Sequence, residues 1–144
     1  MATDLEPKPR TAVLIDAENI SSKHAKTIVE ILRQRQGVYQ FRAYGSKATC
    51  KGWIEKLQQY HPRRTTPLKT GKSNVVDMTL MLDAMVYVLR HGVTHVCIVS
   101  NDTDYVPLIR KLKELQCRTT IMGELTASKP LRKSCDDFVL LKQA

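Results

Sequence analysis

Short apolar, β-branched runs that stop at carboxylates constrain this chain more than any other feature. Thr11–Ile15 (TAVLI) runs directly into Asp16, and Thr94–Val99 (THVCIV) runs through Ser-Asn into Asp102. Runs of this kind, without polar alternation, suit strands buried on both faces, as in parallel sheets. Between them the period changes to that of helices. Ala25, Ile28, Val29 and Leu32 predict a helix from about Ser22 to Gln36 with Gly37 as its stop. Tyr39–Tyr44 reads as a second strand, Lys51–Tyr60 as an amphipathic helix, and about Asn74 to Arg90 as a long helix ending at Gly92. Beyond Thr94–Val99 follow a helix over Asp104–Gln116, a strand over Arg118–Met122, a short helix over Lys129–Ser134 and a last strand over Phe138–Leu141. Strands separated by helices predict βαβ units: an α/β sandwich of three layers around a mainly parallel central sheet. HPRRTTPLKTGKSN, rich in proline, glycine and basic residues but without periodicity, reads as a loop with room for one short strand.

With 144 residues and 42% apolar content, one domain over 11–142 is expected, after a flexible leader over 1–10. Cys50, Cys97, Cys117 and Cys135 form no C-x-x-C pair and read as reduced, mostly buried thiols rather than zinc ligands. The N-terminus carries acids and prolines where a signal peptide would be apolar, and no stretch of about 18 apolar residues follows. A cytoplasmic location away from membranes is therefore expected. The net charge of +9 favours a polyanionic partner.

In open parallel sheets, ligands bind beyond the carboxyl ends of the strands, where the strand order reverses. That directs attention to Asp16, Glu18, Asp102 and Asp104, each of which, taken singly, also suits a turn or a helix cap. Asp77 is more telling. With Asp77 at zero on a helical wheel of about 100° per residue, its neighbours are Met81, Ala84, Val88, Leu80 and Met85, all apolar. A carboxylate in a core-facing stripe is costly unless paired, hydrogen-bonded or metal-bound, although its place in the first helical turn softens the cost. Thr79, Asp83, Tyr87 and Arg90 gather on the opposite side, so Asp83 reads as a surface residue. Four carboxylates at one place (Asp16, Asp77, Asp102, Asp104) call for a compensating cation, and an all-oxygen set suits Mg²⁺ or Mn²⁺. Such a centre suits metal-assisted phosphodiester hydrolysis.

Four ordered motifs carry a resemblance: IDAEN (15–19), KSNVVD (72–77), SNDTDYVPLI (100–109) and SCDDFVLL (134–141). Together they resemble the NYN domain family, the PIN-like ribonucleases that include bacterial LabA-like proteins. The resemblance implies a PIN-like Rossmannoid fold with strand order 3-2-1-4-5 and Mg²⁺- or Mn²⁺-dependent endoribonuclease activity on RNA. It places Asp16, Asp77, Asp102 and Asp104 at the metal site, with Asn19 and Ser100 as polar support. Asp83 and Asp136 match further acidic positions of the pattern. Fusion to an RNA-binding module, or a homodimer, is compatible with it.

Arg63, Arg64, Lys69 and Lys72 precede the helix of Asp77 and are the candidate phosphate-tracking residues. Trp53 reads as core, and few aromatics look exposed, so backbone recognition is expected. KTGKS lacks the first glycine of a phosphate-binding loop, since position 66 is Thr66. Two other functions fit the motifs: a haloacid dehalogenase-type phosphohydrolase using Asp16 as nucleophile with Glu18 in D-x-D, or a catalytically silent RNA-binding module.

Overall fold

The two apolar runs lie side by side at the centre of the sheet. The computed structural model describes residues 8–35, 37–66 and 75–142. Strand β1 (Arg10–Asp16) pairs with β2 (Val38–Tyr44) on one side and with β4 (His95–Val99) on the other. β3 (Arg63–Thr65) adds a short edge beyond β2, while β5 (Arg118–Gly123) and β6 (Asp137–Leu140) extend the far side. All pairings are parallel and the order is 3-2-1-4-5-6, the expected order with the last strand appended.

Period-two alternation divides the core between the two faces. Ala12, Leu14, Val96 and Ile98 join the layer of helices α3 (Val75–Arg90), α4 (Val106–Glu114) and α5 (Lys129–Ser134). Val13, Ile15, Cys97 and Val99 face α1 (Ala25–Arg33) and α2 (Lys47–Lys56). Trp53 is fully buried on that side and donates its indole N–H to the Ile20 carbonyl at 3.1 Å. The four cysteines are free thiols, three of them buried. Among the described residues no helix is long and apolar enough to cross a membrane.

Caps account for most of the shifted helix boundaries. Ser46 starts α2 four residues before the expected Lys51, its hydroxyl accepting the Thr49 N–H at 3.1 Å. Gly52 then lies inside the helix, where a Cβ would come within 2.3 Å of Ser22 Oγ, so its bareness permits the contact of α2 with the Ser22–His24 turn. The Asp104–Gln116 helix begins as a 3₁₀ turn (Thr103–Tyr105), and regular α-helix starts only at Val106, with Pro107 in its first turn.

Helix α3 departs most from its wheel. Asp77, Leu80 and Ala84 are buried as expected, but Tyr87 is half-buried, with part of its ring packed against the core. Asp83 is not a solvated surface residue either: its Oδ2 accepts from the Tyr44 hydroxyl (2.7 Å) and Arg42 Nη1 (3.0 Å). The helix lies against β1 and β2, so its flank reaches side chains rising from β2. The stripe turned to solvent is instead apolar, with Met78, Leu82, Val86 and Leu89 48–67% exposed.

Candidate metal centre and its surroundings

Each acid arrives on a different element. Asp16 is the last residue of β1, in register with Tyr44, and Asp102 lies three residues past β4. Asp77 descends from the first turn of α3. These strand ends flank the β1–β4 boundary, where the order reverses. One carboxylate oxygen from each of the three lies within 4.8 Å of the others, with Asp16 and Asp77 buried and Asp102 half-buried. Asp104 is exposed on the next turn and outside that trio.

Among the described residues, neutral donors hold the cluster. Ser100, fully buried, has its hydroxyl 3.1 Å from Asp16 Oδ2 and 3.3 Å from Asn19 Oδ1, and accepts the Asp102 N–H at 3.0 Å. Asn19 Oδ1 also accepts the Asn101 N–H at 2.8 Å, tying the loop after β1 to the loop after β4. Asp102 Oδ1 accepts the Asp104 N–H at 2.9 Å and so caps its own turn. The buried Tyr105 hydroxyl stands 3.3 Å from both Asp16 Oδ2 and Asp77 Oδ1. Among the described residues, no lysine, arginine or histidine forms an ion pair with any of the three acids.

The electrostatics follow from that arrangement. Burial pushes the Asp16 carboxyl up to about 6, against the Ser100 and Tyr105 hydrogen bonds and with the Asp102 charge adding to the rise. Burial likewise lifts Asp77 to about 7, reinforced by the Asp102 charge, a hydrogen bond shared with Asp102, and the Asp16 charge. Tyr105 is held protonated by burial and by the acids around it, and therefore remains a donor. Three mutually repelling carboxyls with no ion-pair partner among the described residues fit a hard divalent ion.

A second network braces the same edge. Asn101 Nδ2 donates to Glu124 Oε1 at 3.0 Å while its Oδ1 accepts the Glu124 N–H at 2.6 Å. Buried His24 donates to Glu124 Oε2 at 2.9 Å, and the His24 and Asn101 hydrogen bonds hold the Glu124 carboxyl below its ordinary range. Gly123, at the end of β5, lets this happen: a Cβ there would lie 3.0 Å from both Asn101 Oδ1 and the Ser100 carbonyl.

Several expected residues lie elsewhere. Asp136 sits at the opposite, N-terminal end of β5 and β6, accepting from the Thr119 N–H (2.8 Å) and hydroxyl (3.0 Å), bonds that hold its carboxyl low. It fastens β6 to the sheet and is not part of the cluster. Asp83 serves the Arg42–Tyr44 contact described above. Glu18 turns away to accept the Ser46 N–H at 2.9 Å. Arg63 and Arg64 are exposed on β3, whereas Lys69 and Lys72 lie outside the described residues. Tyr105, Asn101, Glu124 and His24 were not singled out from the sequence. The signal for Tyr105 was its 3–4 spacing with Leu108, Ile109 and Leu112, which turns it inward above the strand ends.

Comparison with known proteins agrees with this geometry. No curated protein sequence matches the chain. Among solved structures, a protein of unknown function from Vibrio parahaemolyticus RIMD 2210633 has the same fold, with a TM-score of 0.74, 18% identity and 96% of each chain covered. The NYN domain profile matches residues 10–142. With that match over nearly its whole length and an acidic cluster at the switch point of a parallel sheet, the chain belongs to the NYN domain family, a generally nuclease-like, PIN-like family.

Proposed function

We propose that the chain is a metal-dependent endoribonuclease, with Asp16, Asp77 and Asp102 as ligands of Mg²⁺ or Mn²⁺ and Asp104 at the open side. The observation that carries this reading is the convergence of the three carboxylates within 4.8 Å, with no ion pair to any of them among the described residues. A divalent ion held by these three acids would supply an activated water and offset charge on the scissile phosphate. The chain's own residues supply the rest. Tyr105 and Ser100 fix the orientation of Asp16. Burial and the Asp102 and Asp16 charges raise the Asp77 carboxyl, and a bound cation would favour its ionised form. Asn19 keeps the β1 and β4 loops at a fixed separation. Arg63 and Arg64, on the exposed β3, offer positive charge to phosphates.

The D-x-D chemistry of a phosphohydrolase is disfavoured because Glu18 is engaged with the Ser46 N–H rather than directed at Asp16. The test is incubation of end-labelled single-stranded and structured RNA with Mg²⁺ or Mn²⁺. Asp16→Asn and Asp102→Asn are each expected to lower cleavage on the order of 100-fold or more. Cleavage that survives both substitutions, or is absent with every metal and RNA, would falsify the assignment. Turnover of small phosphomonoesters without RNA cleavage supports the phosphohydrolase instead.

A further inference from the structure

Helix α3 and the free edge of β2 enclose a groove separate from the acid cluster. β3 pairs only with Arg42–Tyr44, so among the described residues no strand pairs with the first half of β2 on that side. The resulting cavity, about 460 Å³, is bordered by Arg10, Arg42, Arg63, His61 and His91, with Tyr39, Tyr60 and Tyr87 among its rings. Asp83, already engaged with Arg42 and Tyr44, is the acid on its wall. Arg42 stacks its guanidinium 5.6 Å from the Tyr87 ring centre. Its Nε is the buried side-chain nitrogen that, among the described residues, has no hydrogen-bond partner. Cations and half-buried aromatic rings in one open trough suit a ligand with phosphates and flat rings.

Position ties the groove to the reactive acids. Asp83 follows Asp77 by six residues on α3 and Tyr87 by ten, so the groove begins about 9 Å from Asp77 and extends past about 15 Å. From the acids the trough runs along α3 toward the N-terminal ends of β1 and β2, where Arg10 and Tyr39 stand.

We propose that the α3–β2 groove is a subsite for single-stranded RNA flanking the bond to be cut, with Arg10 and Arg63 on phosphates and Tyr87 stacking a base. This rests on the reading of RNA as substrate, and it deepens that reading by placing the strand. An extended peptide added to the β2 edge is the competing occupant. The rings and the excess of cations over the single, already paired acid favour nucleic acid.

The test reads binding, without cleavage, by anisotropy of a fluorescent single-stranded 12-mer in EDTA across a salt series. Arg10→Ser combined with Arg63→Ser is expected to weaken binding about 10-fold or more and to flatten the slope of log affinity against log salt. Tyr87→Leu, which keeps an apolar side chain on the core, is expected to weaken it at least about 5-fold with little change in that slope. Lys26→Ser with Arg33→Ser, on α1 across the sheet, controls for general attraction of a basic protein and is expected to lose little. Unchanged affinity in the groove variants, or an equal loss in the α1 control, overturns the proposal. Retained RNA binding together with lost binding of an acidic extended peptide gives the groove to strand addition and overturns it as well. Because no metal is present, a protein that binds RNA through the groove yet never cleaves it leaves this subsite standing while the nuclease reading falls.

Discussion

Tyr105 places one hydroxyl 3.3 Å from both Asp16 Oδ2 and Asp77 Oδ1, at the point where the two buried acids approach each other. Its hydrogen bonds lower both carboxyls against the upward push of burial. Tyr105→Phe keeps the ring and removes that donor, so both acids are expected to titrate higher and to hold Mn²⁺ more weakly near neutral pH. The fold should lose only about 0.5–1.5 kcal/mol. Carboxyl-detected NMR titration checks the first point, and unchanged titration curves would remove the hydroxyl from this role. Asp77 was legible in the sequence because a lone carboxylate in an apolar stripe breaks the pattern. Tyr105 was not, because a tyrosine in such a stripe looks like ordinary core. Asp136 and Asp83 show the converse: they match a family pattern along the chain, yet spatially one clasps β6 and the other pairs with Arg42.

Among the elements, α3 separates what periodicity reveals from what it conceals. Its inward stripe follows directly from spacing, whereas its outward stripe of Met78, Leu82, Val86 and Leu89 is as apolar, so polarity alone does not say which flank meets water. Neighbouring positions should therefore respond very differently to substitution. Leu80→Ala, at a fully buried position, is expected to cost about 2–5 kcal/mol in urea unfolding. Leu82→Gln, at 67% exposure, should stay within about 0.5 kcal/mol. Similar losses at both positions would mean that the outer stripe is covered in solution. The central strands were readable because burial on both faces leaves uninterrupted apolar runs. The helix starts were harder, since they depend on a Ser46 cap and on Pro107, whose effects are local. β3 carries only three residues on a basic stretch and leaves no run to detect.

For the whole molecule, the raised acids set a pH dependence. Asp16 and Asp77 titrate near 6 and 7 in the folded chain against 3.8 when unperturbed, so between about pH 4 and 7 the folded state binds more protons than the unfolded state. Stability from this pair is therefore complete below that window and falls as pH rises through it. Glu124 and Asp136, both lowered, act in the opposite sense and at more acidic pH. Metal-free protein is expected to melt at progressively lower temperature from pH 5 to 7.5. Asp77→Asn should flatten that decline. Mn²⁺ should raise the melting temperature at pH 7.5 far more than at pH 5, and EDTA should reverse the gain. A flat profile in the wild type, with no metal effect at pH 7.5, would contradict the proposed charge balance.

The switch-point position of the acids also bears on how the chain acquires its site. Ser100 reaches Asp16 across 84 residues of sequence and Tyr105 reaches it across 89, in a sheet built entirely of parallel crossovers. Contacts of such long range form late and slowly during folding. A nascent chain that has emerged only through α3 carries Asp16 and Asp77 without Ser100, Asp102 or Tyr105. The three-carboxylate cluster is complete only after β4 has inserted beside β1, so its assembly waits on the second half of the chain and no earlier folding step can draw on it.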